Sequence, residues 1–63
     1  MSPPVAEPGR GLTILVIDDE AEVRQVLVDL LARRGHTVIA EPDGPSGLAR
    51  LGEHTFDLVI TDL

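Results

Sequence analysis

Two short apolar runs, each ending at an aspartate, constrain this chain more than any other feature. Residues 12–17 are rich in β-branched side chains and stop at Asp18 and Asp19, and residues 58–61 stop in the same way at Asp62. A short run that keeps no polar face is typical of a parallel strand covered on both sides. Because parallel strands end at the same edge of a sheet, we expect these three carboxylates to meet at one rim.

The segment after Asp19 predicts an amphipathic helix. Its apolar residues recur at the spacing of a single helical stripe, at Val23, Val26, Leu27, Leu30 and Leu31. Asp19 is placed to N-cap this helix, with Glu22 as the reciprocal partner of a capping box. Arg33 and Arg34 suit the last turn, and Gly35 suits a left-handed C-cap.

The rest of the chain predicts a strand, a helix and a third strand. The predicted elements are a second strand at residues 37–40, a turn at residues 41–45, a short helix at residues 45–51 with Asp43 or Gly44 as its cap, and a third strand at residues 56–61. In the second helix Leu48 and Leu51 are expected to face inward. The order β-α-β-α-β predicts an α/β fold with a parallel sheet and right-handed crossovers. With the first strand in the middle (strand order 2-1-3), the helices lie on opposite faces, and a crevice opens where strands one and three end.

Composition limits the folded part to one small domain. Residues 1–11 contain Pro3, Pro4 and Pro8 and have no apolar period, so they are predicted to be a disordered, proline-rich tail. Residues 12–63 remain to form the domain. The chain has no Cys, which excludes disulfides and thiolate metal sites, and Phe56 is its only aromatic residue.

Charge and hydropathy exclude several classes of partner. The formal net charge is −6, and all five basic residues are Arg. Such an acidic chain is a poor candidate for binding nucleic acid or an anionic membrane. No apolar run approaches the roughly 20 residues that cross a bilayer, and no signal peptide is evident. We therefore expect a soluble, cytoplasmic protein with no nucleic-acid or membrane partner.

Three carboxylates at one rim favour a site for a hard cation. Taken singly, Asp18, Asp19 and Asp62 each suit a turn or a helix cap, but together they would repel one another unless a cation lay between them. Mg²⁺ is the natural choice because it takes oxygen ligands and shares them with phosphate. An aspartate beside Mg²⁺ can also act as a nucleophile toward phosphorus.

The segments ILVIDDEAEVRQVL and FDLVITDL, at this spacing, resemble the first half of a response-regulator receiver domain of two-component signalling. The resemblance covers residues 12–63 and implies a truncated, flavodoxin-like, doubly wound fold. It implies that Asp18 and Asp19 hold Mg²⁺ and that Asp62, also a ligand, is the phosphoacceptor. The donor would be a phosphohistidine of a sensor histidine kinase or phosphotransfer protein, and the module would not itself be an enzyme. Arg24 would be a solvated or partner-facing residue.

Some parts of the family pattern fall beyond Leu63. In this family the carbonyl two residues past the phosphoacceptor completes the metal shell, a Ser or Thr ends the fourth strand, and a Lys ends the fifth.

An alternative hypothesis is therefore a receiver fragment that takes no phosphoryl group and acts as an interaction or dimerisation module, or is a relic. Leu58, Val59 and Ile60 would form an edge strand without a guarding charge or proline, which predicts association through the third strand.

A third hypothesis is an enzyme with an aspartyl nucleophile, similar to the haloacid-dehalogenase phosphatases. That class needs an acid two residues past its nucleophile, and from Asp18 this position is Glu20, a poor fit. His36 and His54 have no potential ligand at coordinating spacing, so neither is predicted to belong to a site.

Overall fold

The computed structural model describes residues 11–61, which form a three-stranded parallel sheet and two helices. The elements are β1 (Thr13–Ile17), α1 (Ala21–Arg33), β2 (Thr37–Glu41), α2 (Gly44–Glu53) and β3 (Leu58–Thr61). The strand order β2-β1-β3 confirms the predicted α/β class and the order 2-1-3. The predicted tail, apart from Gly11, and the last two residues, Asp62 and Leu63, lie outside the described residues.

The core of the domain is the central strand. Ile14, Leu15 and Val16 are each at most 1% exposed, because β1 is paired on both edges and helices lie against it. Its last residue, Ile17, lies opposite Glu41 of β2 and Thr61 of β3. A strand in this position has no solvent-facing side, which explains why its sequence is continuously apolar.

The end of α1 is a Schellman motif, as the glycine in the sequence predicts. Gly35 has a φ of 87°, in the left-handed region that favours glycine. Its N–H donates to the Ala32 carbonyl at 3.0 Å, and the His36 N–H donates to the Leu31 carbonyl at 3.2 Å. These bonds satisfy carbonyls at the helix end and turn the chain directly into β2.

The buried face of α1 differs from the predicted stripe. Leu27 and Leu31 are half-buried as expected, but the stripe's other members, Val23, Val26 and Leu30, are 41%, 64% and 46% exposed. The helix packs on β1 and β2 through a face rotated toward Val28. Periodicity identified the helix correctly, but the sheet beneath it decides which part of a broad apolar surface is covered.

The start of α2 is built by Asp43, one of the two predicted capping residues. The Asp43 carboxylate accepts a hydrogen bond from the Ser46 N–H at 2.8 Å, and this bond holds the pKa of Asp43 below its ordinary value. Pro45 lies in the first turn, where its missing N–H costs no helical bond. The helix is longer than predicted and runs to Glu53.

Gly47 sets how closely α2 approaches the sheet. It is the one buried residue of the helix, and a Cβ at this position would collide with the Ile17 side chain. The predicted inward orientation of Leu48 and Leu51 is wrong, since they are 69% and 43% exposed. A helix that contacts β1 and β2 through its glycine turns these leucines away from that contact.

Candidate functional site: the acidic rim at the carboxyl end of β1

Asp18 is a buried acidic residue at the end of the central strand. It is 6% exposed, and its side chain accepts a hydrogen bond from the Glu20 N–H at 2.9 Å through Oδ1. Its own N–H donates to the Glu41 carbonyl at 3.1 Å, which extends the pairing of β1 with β2 by one residue. One carboxylate oxygen is thus committed to the turn, while Oδ2 accepts no hydrogen bond from residues 11–61.

Asp19 is exposed and does not cap α1, so the predicted capping box is wrong. The N-cap is Glu20, and its side chain makes no capping hydrogen bond. The reason is local. Asp18 Oδ1 takes the Glu20 N–H, the chain bends at Asp19, and the helix begins one residue later than predicted. Within the described part of the chain the Asp19 carboxylate accepts no hydrogen bond, which leaves both of its oxygens for another ligand.

Arg24 belongs to this rim, although the sequence predicted a solvated or partner-facing residue. It is half-buried, and its Nη1 donates to the Asp18 carbonyl at 2.7 Å. The signal that could have found it is spacing. A residue in the first turn of a helix, seven positions after the last residue of a strand, can reach back over the turn. Charge alone did not distinguish it from Arg33 or Arg34.

The third predicted ligand and phosphoacceptor, Asp62, lies outside the described residues. The structure follows β3 to Thr61, which is paired with Ile17 at the same end of the sheet as Asp18. Among residues 11–61 no three potential ligand side chains form a metal-binding group. The structure therefore brings Asp18 and Asp19 to the predicted rim, and the site's third member remains a prediction.

The donor chemistry of this rim suits a hard divalent cation. Asp18 and Asp19 offer three carboxylate oxygens that accept no hydrogen bond from residues 11–61, and no His or Cys accompanies them in their turn. Mg²⁺ prefers a small number of carboxylates and retains waters and phosphate oxygens as its other ligands. Asp18 and Asp19 are therefore the residues that would hold such an ion.

Beside this rim, Glu41 and Arg50 form an ion pair between β2 and α2. Arg50 Nε lies 2.7 Å from Glu41 Oε2, and this contact raises the pKa of the Arg50 guanidinium above its ordinary value. The Glu41 side chain is mostly buried, whereas Arg50 is partly exposed. Since Glu41 is held by Arg50, it belongs to the packing of α2 rather than to the acidic set.

The two histidines have contacts away from the rim. His36 Nδ1 accepts a hydrogen bond from the Leu12 N–H at 3.0 Å, and so joins the start of β1 to the end of α1. His54 lies edge-on to Phe56, with ring centroids 6.0 Å apart. Neither helix within residues 11–61 is long and apolar enough to span a bilayer.

Comparison with known proteins connects this geometry to one family. A family model described as the response regulator receiver domain matches residues 14–63. The chain is similar to the two-component response regulator PhoP of Pseudomonas aeruginosa, with 40% identity over 52 residues, and to the chemotaxis protein CheY of Bacillus subtilis, with 37% identity over 51 residues. It is also similar to the virulence sensor protein BvgS of Bordetella pertussis, with 40% identity over 57 residues.

These matches cover most of the chain but a smaller part of each relative. They include 82%, 79% and 90% of the chain, and 23%, 42% and 5% of PhoP, CheY and BvgS, respectively. No solved structure gave a significant match.

Proposed function

This chain belongs to the family of response regulator receiver domains, and on that premise we propose that it is a phosphoacceptor module of a two-component phosphorelay. Asp62 accepts the phosphoryl group, and Asp18 and Asp19, with Asp62, hold Mg²⁺. The donor is a sensor histidine kinase or a phosphotransfer protein. Relatives named as a virulence sensor and a sensor histidine kinase contain a matching segment, which supports a partner of this kind. The module works in the cytoplasm and is not an enzyme.

The observation that carries this proposal is the common rim of β1 and β3. Thr61 is paired with Ile17, so β1 and β3 end at the same end of the sheet. On the β1 side the next residue is Asp18, buried and anchored, followed by the exposed Asp19. An acceptor carboxylate beside two other carboxylates needs such an arrangement, because a cation must be shared between them and the phosphoryl group.

The three carboxylates have different roles in phosphoryl transfer. An Asp62 oxygen attacks the phosphorus of the donor, a P–O bond to Asp62 forms, and the bond to the donor's leaving group breaks. Mg²⁺, when bound, would neutralise charge on the phosphoryl oxygens and allow a carboxylate to approach them. Asp18 is held in place by its backbone and side-chain hydrogen bonds, while Asp19 is exposed.

The test is the intact mass of the protein after incubation with acetyl phosphate. We expect one added phosphoryl group in the presence of Mg²⁺, with acetate released, and none after addition of a chelator. Asp62→Asn should abolish the adduct, because an amide is not a nucleophile toward phosphorus. Asp29→Asn, an exposed change of the same charge on α1, should leave it unchanged. A folded wild-type chain that gains no mass would contradict the proposal.

A second candidate function, association through β3, is favoured by its exposed apolar side chains. Leu58 and Val59 are 43% and 40% exposed, and β3 lies at the edge of the described sheet. An edge strand without a charged residue or proline is a template for pairing with another chain.

Sedimentation velocity across a concentration series tests this association. We expect the wild-type chain to form dimers or larger species, and Val59→Lys to shift it toward monomer because a charge on an edge strand opposes pairing. Val26→Lys, on the exposed face of α1, is the control and should sediment as wild type does. A monomeric wild-type chain at every concentration would exclude self-association.

A further inference from the structure

Arg24 binds both ends of the three-residue turn that carries the acidic pair. Its guanidinium Nη1 donates to the Asp18 carbonyl at 2.7 Å. Its backbone N–H donates to the Glu20 carbonyl at 2.9 Å, which is the first hydrogen bond of α1 and does not depend on the arginine side chain. The first bond spans six residues and joins the first turn of α1 to the end of β1. One residue therefore bridges the turn whose middle residue is Asp19.

The other restraints on this turn act on different atoms. The Asp18 N–H is held by the Glu41 carbonyl, and the Glu20 N–H is held by Asp18 Oδ1. Within residues 11–61, only Arg24 donates to the Asp18 carbonyl. Since Asp18 is 6% exposed, loss of this donor would leave a polar group in a nearly dry position, and the turn would open to hydrate it.

The Arg24 guanidinium donates its hydrogen bond to a backbone carbonyl and not to a carboxylate. In the part of the chain that the structure describes, Arg24 has no acidic side chain within ion-pair distance, whereas Arg50 has two. The Asp18 and Asp19 carboxylates thus remain available to a cation, although a positive charge lies beside them. Arg24 orders the acidic turn without occupying its ligands.

We propose that Arg24 is a positioning residue that holds Asp18 and Asp19 in the geometry needed to bind a divalent cation. The cation rests on the function proposed above, but the restraint on the turn exists in the metal-free chain. Arg24 acts through Asp18 and does not itself contact the ion.

A positioning role and a purely electrostatic role predict opposite results when the charge is removed. Arg24→Met retains an aliphatic side chain but removes the donor and the positive charge. If Arg24 acted only as a charge, its loss would make the rim more negative and strengthen cation binding. If Arg24 positions the turn, binding weakens in spite of the more negative rim.

The first measurement is a Mg²⁺ titration followed by the amide resonances of Asp18 and Asp19. We expect Arg24→Met to weaken binding about 10-fold, the size of effect found when a residue that orients a metal ligand is lost. Arg33→Met carries the same charge change in the last turn of α1 and should change the affinity less than about 2-fold, because exposed charges at that distance are screened. Binding by Arg24→Met that equals or exceeds the wild-type affinity would overturn the proposal.

The second measurement is amide hydrogen exchange in the metal-free chain, with circular dichroism to confirm that each variant is folded. In the wild-type chain the Glu20 amide should exchange more slowly than those of Ala21 and Glu22 in the first turn of α1, which lack helical acceptors. Arg24→Met should remove this protection, and Arg33→Met should preserve it. A wild-type Glu20 amide that exchanges as fast as its two neighbours would refute the restraint without any substitution.

The two measurements separate this proposal from the proposed function. If the wild-type chain binds no Mg²⁺, the proposed function is wrong, and so is the role of Arg24 in positioning cation ligands. Protection of the Glu20 amide that depends on Arg24 would still establish the restraint in that case.

Discussion

Leu15→Ala should lower the free energy of unfolding of this chain by about 2–5 kcal/mol. Leu15 is 0% exposed at the centre of the middle strand, with a paired strand on each side and helices against the sheet. Truncating a buried leucine to alanine costs about 2–5 kcal/mol, since apolar contacts are lost and a cavity remains. A chain of 63 residues has a free energy of unfolding of only about 3–9 kcal/mol. The substitution therefore removes a large fraction of the total stability.

Urea denaturation followed by far-UV circular dichroism measures this loss. Val26→Ala is the matched control, because Val26 is 64% exposed and its truncation should change the free energy of unfolding by about 0.5 kcal/mol or less. If the two variants shift the midpoint equally, β1 is not the core of the domain.

Asp18→Asn should abolish most Mg²⁺ binding and Mg²⁺-dependent phosphorylation while the fold is retained. The amide oxygen of Asn can still accept the Glu20 N–H, so the turn keeps its hydrogen bond. The substitution removes the negative charge that would hold the cation, however, and even an outer residue that supports a ligand is worth about 10–100-fold in metal affinity. We expect a loss at the upper end of that range or beyond it.

Asp29→Asn provides the comparison for Asp18→Asn. Asp29 is exposed on α1 and accepts one hydrogen bond, from Gln25 Nε2 at 2.9 Å, so its change removes the same charge far from the ligands. Calorimetric titration with Mg²⁺ and the intact-mass assay should show wild-type behaviour for this variant. An Asp18→Asn chain with wild-type Mg²⁺ affinity would mean that the central carboxylate is structural.

Three features of the fold that depend on local sequence were predicted correctly. The unbroken apolar run of β1 predicts a strand with no solvent-exposed face, and Gly35 supplies the residue of left-handed conformation that ends α1. Asp43 supplies an N-cap through its own side chain. Each is a property of a few neighbouring residues, and so it can be read before the tertiary structure is known.

The predictions of which side of each helix packs against the sheet were partly wrong. Val26 and Leu48 belong to apolar helical patterns, yet both are exposed, because Gly47 and the half-buried side of α1 make the contacts with the strands. The N-cap of α1 is Glu20 and not the predicted Asp19, because the buried Asp18 side chain accepts the Glu20 N–H.

For the candidate site, the sequence by itself determined that the side chains after β1 are carboxylates. Two strands rich in β-branched residues and followed by carboxylates predict a parallel sheet with an acidic rim. Only the tertiary structure decided that Asp18 is buried and committed to the turn, that Asp19 is exposed, and that Arg24 reaches back across the turn. The physical reason is that strand and acid patterns are local properties of the chain. Burial and a hydrogen bond across a turn exist only after β1, β2 and α1 have packed together.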